Sequence, residues 1–346
     1  MKLKKSLLVA SILCIIALIF WESFWRSQSY YPTIDDNKAL WAVQRAKIEH
    51  LSSEDIILTG SSRVLFDIQL DEFENATGRR PIQLAVPGSS PLPIFHDLVE
   101  NTDFTGTIIV GVTPGLFFST TYPKADPWSR AQSKVEHYHN RTYADRLNHQ
   151  LSLPLQTNLV MMSGHEEQGD ENIDLRGLLR RIKLKRRTSG AVYPPFFEFG
   201  DTALDRNVRM TEQCATDTTF ANIIKNAWKF IATAEGPPPD KQGTTAFFVK
   251  DAEKFIKRGG NLILVRCPSS GMLEGGEMQF FPRETYFDSL VNASGAKSYH
   301  YKDYDTLSSF DCPEWSHLSA EDADSFTKEL VKIMLKDGVI SKSKTN

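Results

Sequence analysis

The chain has 346 residues, room for one large or two modest domains around a substantial core. Its 40 Lys and Arg against 43 Asp and Glu leave a formal net charge of -3, so charge gives no global case for nucleic-acid binding. The composition is that of an ordinary globular protein apart from one segment at the N-terminus.

In that segment Lys2, Lys4 and Lys5 precede an apolar stretch from Leu7 to Trp21, which Phe24 and Trp25 extend and Arg26 ends. A bilayer core takes about 20 helical residues to cross, and the tryptophans suit the membrane interface. The reading is a membrane anchor through residues 6–25, with the cationic start inside and the remainder outside. A cleaved signal peptide is the rival, but bulky Trp21, Phe24 and Trp25 stand where small residues would mark a cleavage site. In an oxidising compartment Cys214, Cys267 and Cys312 allow one disulfide. Either Cys267 and Cys312 join and brace the loop between them, or all three stay unpaired.

Residues 27–50 read as a polar tether and a leading helix over Lys38 to Leu51, whose apolar stripe Gln44 interrupts. Asp55 to Thr59 then reads as a buried strand ending at Gly60. A helix over Leu70 to Thr77 stops at Gly78, and a strand over Pro81 to Val86 stops at Pro87-Gly88. The alternation continues with a helix over Leu92 to Glu100 and a strand over Thr107 to Val112. It resumes with a helix over Ala246 to Lys257 and a strand over Asn261 to Val265. Helical Thr285 to Val291, a short strand over Lys297 to Tyr301 and a helix over Ala320 to Leu335, capped by Ser319, complete it. Alternating strands and helices imply a parallel sheet of about five strands in a three-layer α/β sandwich. Its domain occupies residues 51–118 and 241–340. Between them, residues 119–240 break the pattern and read as a large, mostly helical insertion, with helices near Tyr143 to His149, Leu175 to Lys185 and Thr219 to Thr233.

In such a sheet, sites form at the carboxyl ends of the strands. Gly60-Ser61-Ser62, Pro87-Gly88-Ser89, Thr113-Pro114-Gly115 and Arg266-Cys267-Pro268 therefore share one edge, within reach of Glu314-Trp315-Ser316-His317. Ser62 is the candidate nucleophile and His317 its base. Glu314, three residues earlier, can hold Nδ1 and leave Nε2 free for Ser62, while Asp311 is an alternative orienter. The amides of Ser62 and Gly88 are candidate oxyanion donors. The plain alternatives are a helix cap at Ser62 and a glycine needed only for its turn.

These blocks resemble the SGNH or GDSL hydrolase superfamily. Gly60-Ser61-Ser62 matches its Gly-Asp-Ser block, Gly88 its second-block glycine, and Glu314 to His317 its Asp-x-x-His block. The anchor, the Gly-x-Ser-Arg start and the Ser-His-Leu ending are similar to members that work beside membrane-bound O-acyltransferases in cell-envelope modification, such as the alginate acetylation proteins. The resemblance covers residues 54–118 and 245–336. It implies a flavodoxin-like fold and a bacterial inner-membrane location, single-pass, with the soluble part on the periplasmic or extracellular side. It further implies a serine esterase or O-acyltransferase acting on an acylated glycan or acyl donor, without cofactor. Glu314 departs from the Asp of the pattern, and Gly111-Val112-Thr113-Pro114 stands where the family has Gly-x-Asn-Asp, so its asparagine oxyanion donor is missing. That omission favours the alternative of a silent envelope protein binding polysaccharide or a membrane acyltransferase.

Arg63 and Arg266 are candidates for an anionic substrate group, with an Arg63–Asp67 pair one helical turn apart as the simpler role. The basic run Arg176, Arg180, Arg181, Lys183, Lys185, Arg186 and Arg187 can face acidic lipid or glycan, or only water. Glu136, His137 and His139 are too few to read as a metal site, and no metal is expected.

Overall fold

The computed structural model describes residues 2–28, 30–121, 125–162, 194, 196–233 and 238–343. The helix expected over Leu175 to Lys185 and the basic run from Arg176 to Arg187 lie outside them. The described residues form two compact units, one of residues up to 35 with 142–162 and the other of residues 36–141 with 194–343.

The first unit holds a helix over Lys2–Ser27, apolar and long enough to cross a membrane, and a helix over Tyr143–Gln156. Glu22 accepts the amides of Val160 (2.9 Å) and Met161 (3.1 Å), and Arg26 donates to the Asn158 carbonyl (2.7 Å). These bonds satisfy backbone groups of the turn over residues 158–162.

In the second unit, strands β1 (Ile56–Thr59), β2 (Ile82–Gln83), β3 (Thr107–Gly111), β6 (Asn261–Arg266) and β7 (Lys297–His300) form a five-stranded sheet, all neighbours parallel. The order is β2-β1-β3-β6-β7. Strands buried on both faces need continuous apolar runs, and β1, β3 and β6 supply them. Ile56 and Leu58, Ile109, and Ile263 and Val265 pack on one face with Phe326 and Leu330 of the last helix, Ala320–Lys336. Ile57, Ile108, Val110, Leu262 and Leu264 pack on the other with Phe95, Phe248 and Phe255. Those three phenylalanines belong to the helices Leu92–Glu100 and Lys241–Lys257.

Four elements depart from the sequence reading. The helix over Asp126–Asn140 and the antiparallel pair β4 (Gly200–Thr202) and β5 (Val208–Met210) were not expected, nor was the helix over Gly271–Phe280. Regular β2 is only two residues long, although Leu84 and Val86 still donate to Leu58 and Gly60 at 2.8 and 3.0 Å. Gln44, read as an interruption of the leading helix, is buried and donates to the Leu204 carbonyl (2.9 Å). A polar side chain can complete an apolar stripe when its hydrogen bond goes with it.

The turn after β1 has little room. A Cβ on Gly60 would lie 2.6 Å from Val64 Cγ2 and 3.3 Å from the Gly111 Cα. Val64 is β-branched and fixed in the following helix, so neither neighbour yields easily. We expect Gly60→Ala to destabilise the protein by about 1–3 kcal/mol through overpacking. Urea denaturation would show it as a lowered midpoint, partly recovered in the double variant Gly60→Ala/Val64→Ala.

Candidate active site

The carboxyl ends of the strands bring the sequence blocks to one edge. The Val86 amide donates to Gly60, which sets the Pro87-Gly88 turn beside Gly60-Ser61-Ser62. The Val112 amide donates to Val265 (2.8 Å), and Ser61 Oγ shares a hydrogen bond with Thr113 Oγ1 (2.7 Å). The late loop docks on the turn after β6, where Ser270 N donates to the Trp315 carbonyl (3.0 Å) and Cys312 N to Ser270 Oγ (2.8 Å).

Ser62 is half-buried at the first position of the short helix Ser62–Asp67, with Ser61 as its cap residue. The same helix holds the histidine loop at three points. Arg63 Nε lies 3.4 Å from Ser316 Oγ, the Phe66 ring lies 4.6 Å from the His317 ring, and Asp67 Oδ1 accepts the Leu318 amide (3.0 Å).

Glu314 is fully buried, and both of its oxygens accept hydrogen bonds. Oε1 accepts the Ser316 amide (3.0 Å), the His317 amide (2.5 Å) and His317 Nδ1 (3.0 Å), while Oε2 accepts Trp228 Nε1. Burial alone would raise this carboxyl, but the His317 ring, the Trp228 indole and the His317 amide hold it below its ordinary value. An ionised Glu314 can only accept, so Nδ1 carries a hydrogen, and in the neutral ring Nε2 is the acceptor. Asp311, the alternative orienter, is exposed on the surface.

Nε2 is buried and makes no hydrogen bond. The bond from Ser62 Oγ to Nε2 that the sequence reading calls for is therefore not made. The ring is packed among Phe66, Phe199 (5.5 Å) and Trp228 (6.2 Å). A buried acceptor left unpaired costs about 1–3 kcal/mol, a price stable folds rarely carry without use.

The two arginines read as anion binders are both buried and engaged. Arg63 Nη1 lies 2.8 Å from Glu277 Oε1, and Arg266 Nη2 bonds Glu277 Oε2. Arg266 also donates to the Cys267 carbonyl (2.8 Å), and Ser269 Oγ to Glu277 (2.9 Å). Arg63 thus pairs with Glu277 rather than with Asp67, because the carboxylate of the Gly271–Phe280 helix reaches both guanidinium groups. Burial raises the Glu277 carboxyl, yet the two arginines lower it more. Asp67 goes the other way: burial outweighs its bond to Leu318 and keeps it well above its ordinary range, with Oδ2 unpaired. Cys214, Cys267 and Cys312 are buried free thiols, so the bridge between Cys267 and Cys312 is absent.

Gly88 has φ +61°, a left-handed conformation natural to glycine, and its site is half-buried. Trp315 has φ +80°, which a bulky residue adopts only when its surroundings impose it. Here the surroundings are visible: the chain must curl for the Ser316 and His317 amides to reach the preceding Glu314. Gly271, packed against the Trp315 indole, has no Cβ to obstruct it.

Glu277 and Trp228 escaped the sequence reading. Glu277 lies 214 positions from Arg63, and nothing in local spacing couples them. Trp228 sits on the inner side of an expected amphipathic helix, where an indole reads as core. His139, considered for a metal, bonds Asp97 (2.6 Å). Among the described residues His96, Glu100 and Asp251 bring ligand atoms within 4.8 Å of one another, but His96 bonds Asp251 (2.9 Å) and Glu100 bonds Lys254 (2.6 Å). Their charges and donors already have partners.

No known protein family matches the chain, and no curated protein does.

The low Glu314 carboxyl fixes a pH dependence. Its ionised form is favoured by folding, so its stabilisation is fully present above its ordinary value of 4.5 and is lost as pH falls through the lower folded value. Glu314→Gln should be destabilised by about 3 kcal/mol or more at neutral pH, because an amide NH2 cannot accept from the buried donors. In urea titrations across pH, the gap between wild type and Glu314→Gln should narrow only below about 4.5.

Proposed function

We propose that this chain is a membrane-anchored serine esterase or O-acyltransferase of SGNH type, with a flavodoxin-like domain, acting on acyl esters of cell-envelope glycans. The observation that carries the reading is the buried Glu314–His317 pair, which leaves an unpaired Nε2 beside the helix that Ser62 begins. An oriented, neutral imidazole with a free acceptor nitrogen is what a hydroxyl nucleophile needs of its base. The sheet order β2-β1-β3-β6-β7, which is 2-1-3-4-5 in order along the sheet's own strands, supports the flavodoxin-like assignment. The apolar Lys2–Ser27 helix supports single-pass anchoring in a bacterial inner membrane with the domain outside.

On this reading an entering ester carbonyl draws the Ser62 hydroxyl toward Nε2, a bond that apo sites often leave unmade. Ser62 attacks as His317 takes its proton. The tetrahedral oxygen is received by the Ser62 and Gly88 amides, and water or a sugar hydroxyl resolves the acyl-Ser62. The acceptor hydroxyl comes from the glycan, and the acyl donor from a membrane-bound O-acyltransferase or an acylated glycan.

A second reading is a silent SGNH-like envelope component that binds polysaccharide or a membrane acyltransferase. It is favoured by the burial of Nε2 among three aromatic rings and by Thr113, bonded to Ser61, in the place of the family's asparagine.

A fluorophosphonate probe separates the two. The first reading expects labelling at Ser62, abolished in Ser62→Ala and reduced by about a thousandfold or more in rate in His317→Ala. An unlabelled wild type, or equal labelling of wild type and Ser62→Ala, would sink it.

A further inference from the structure

The edge of the site lacks the asparagine that the resemblance supplies for the oxyanion, and Arg63 and Arg266 are bound to Glu277. Among the described residues one cation at this edge, Arg130, is not engaged. Arg130 lies one turn into the Asp126–Asn140 helix, whose start is docked on the Gly88 turn by the bond from Ser90 N to the Pro127 carbonyl (2.9 Å). A Cβ on Gly88 would lie 2.5 Å from Arg130 Nη1. The guanidinium thus rests directly against Gly88, on the side a side chain would occupy. Arg130 is exposed, and among the described residues no carboxylate or other acceptor takes its donors.

We propose that Arg130 is the missing oxyanion-stabilising residue, the cation that faces the reacting carbonyl oxygen together with the Gly88 amide. The proposal rests on the acyl-serine reading of the site. As the Ser62 Oγ–C bond forms, the hydroxyl proton passes to His317 Nε2 and the carbonyl π pair moves onto oxygen. The guanidinium meets that charge as it develops. On collapse the pair returns, the C–O bond to the leaving alcohol breaks, and the alkoxide takes the proton back from Nε2. An exposed guanidinium with no partner among the described residues gives up only water by turning to a new anion, whereas Arg63 and Arg266 would have to abandon Glu277.

The test is steady-state hydrolysis of 4-nitrophenyl acetate by the full-length protein in detergent, comparing wild type, Ser62→Ala, Arg130→Ala and Arg130→Lys. Arg130→Ala should lower kcat by about ten- to a thousandfold with KM little changed. Arg130→Lys should keep part of the rate, and added ethylguanidinium should restore part of it to Arg130→Ala alone. Because Arg130 is exposed, its variants should keep the wild-type urea midpoint. If wild type and Ser62→Ala hydrolyse equally, the acyl-serine reading fails and this assignment falls with it. If turnover requires Ser62 but Arg130→Ala keeps its kcat, or raises only KM, the Arg130 assignment alone is overturned.

Discussion

A single buried carboxylate organises the late loop. Glu314 takes in two amides of its own loop, the ring of His317 and the indole of Trp228, and has no exposure to water. A carboxylate moved out of water without such donors is too costly to stay ionised. The donors can reach it only if the chain reverses at Trp315, and the left-handed backbone there follows from that requirement. The imidazole is fixed as a consequence: with Nδ1 held, Nε2 has to point elsewhere, and it points into a buried space where it finds no partner.

A second charge set, two buried arginines on the half-buried Glu277, carries the loop to the strand ends. Glu277 binds Arg63, at the start of the Ser62–Asp67 helix, and Arg266, at the end of β6. Two cations share one carboxylate, and charges so enclosed gain their value from each other rather than from solvent. Arg63 also reaches Ser316, so the helix that begins at Ser62, the strand end and the histidine loop are held as one piece. Phe66 and Asp67 extend the same grip, one by ring contact with His317 and the other by accepting the Leu318 amide.

The alternation of strands and helices was readable because parallel strands buried on both faces leave unbroken apolar runs, and because Gly60 and Gly88 mark where strands stop and Gly78 where a helix stops. The expected pairing of Glu314 with His317 needed only a three-residue spacing in a loop. What stayed hidden depends on distance along the chain or on short, weak elements. The Glu277 bridge joins residues with no periodic relation, and β4 and β5 are three residues each, too brief for alternation to register. The helix over Gly271–Phe280 contains three glycines and buries none of its residues, so its sequence has no apolar stripe to announce it. The unmade bond between Ser62 and Nε2 was beyond reach as well, since order along the chain sets proximity to an edge but not the orientation of a side chain.

The central claim is that an acyl group passes through Ser62. Acid quenching of the full-length protein during turnover of an acetyl ester, followed by mass analysis of its peptides, reads that intermediate directly. The account predicts one acetyl group on the peptide containing Ser62, removed when the quench is delayed past substrate exhaustion. Turnover with that peptide unmodified, or with the acetyl group on another residue, would contradict it.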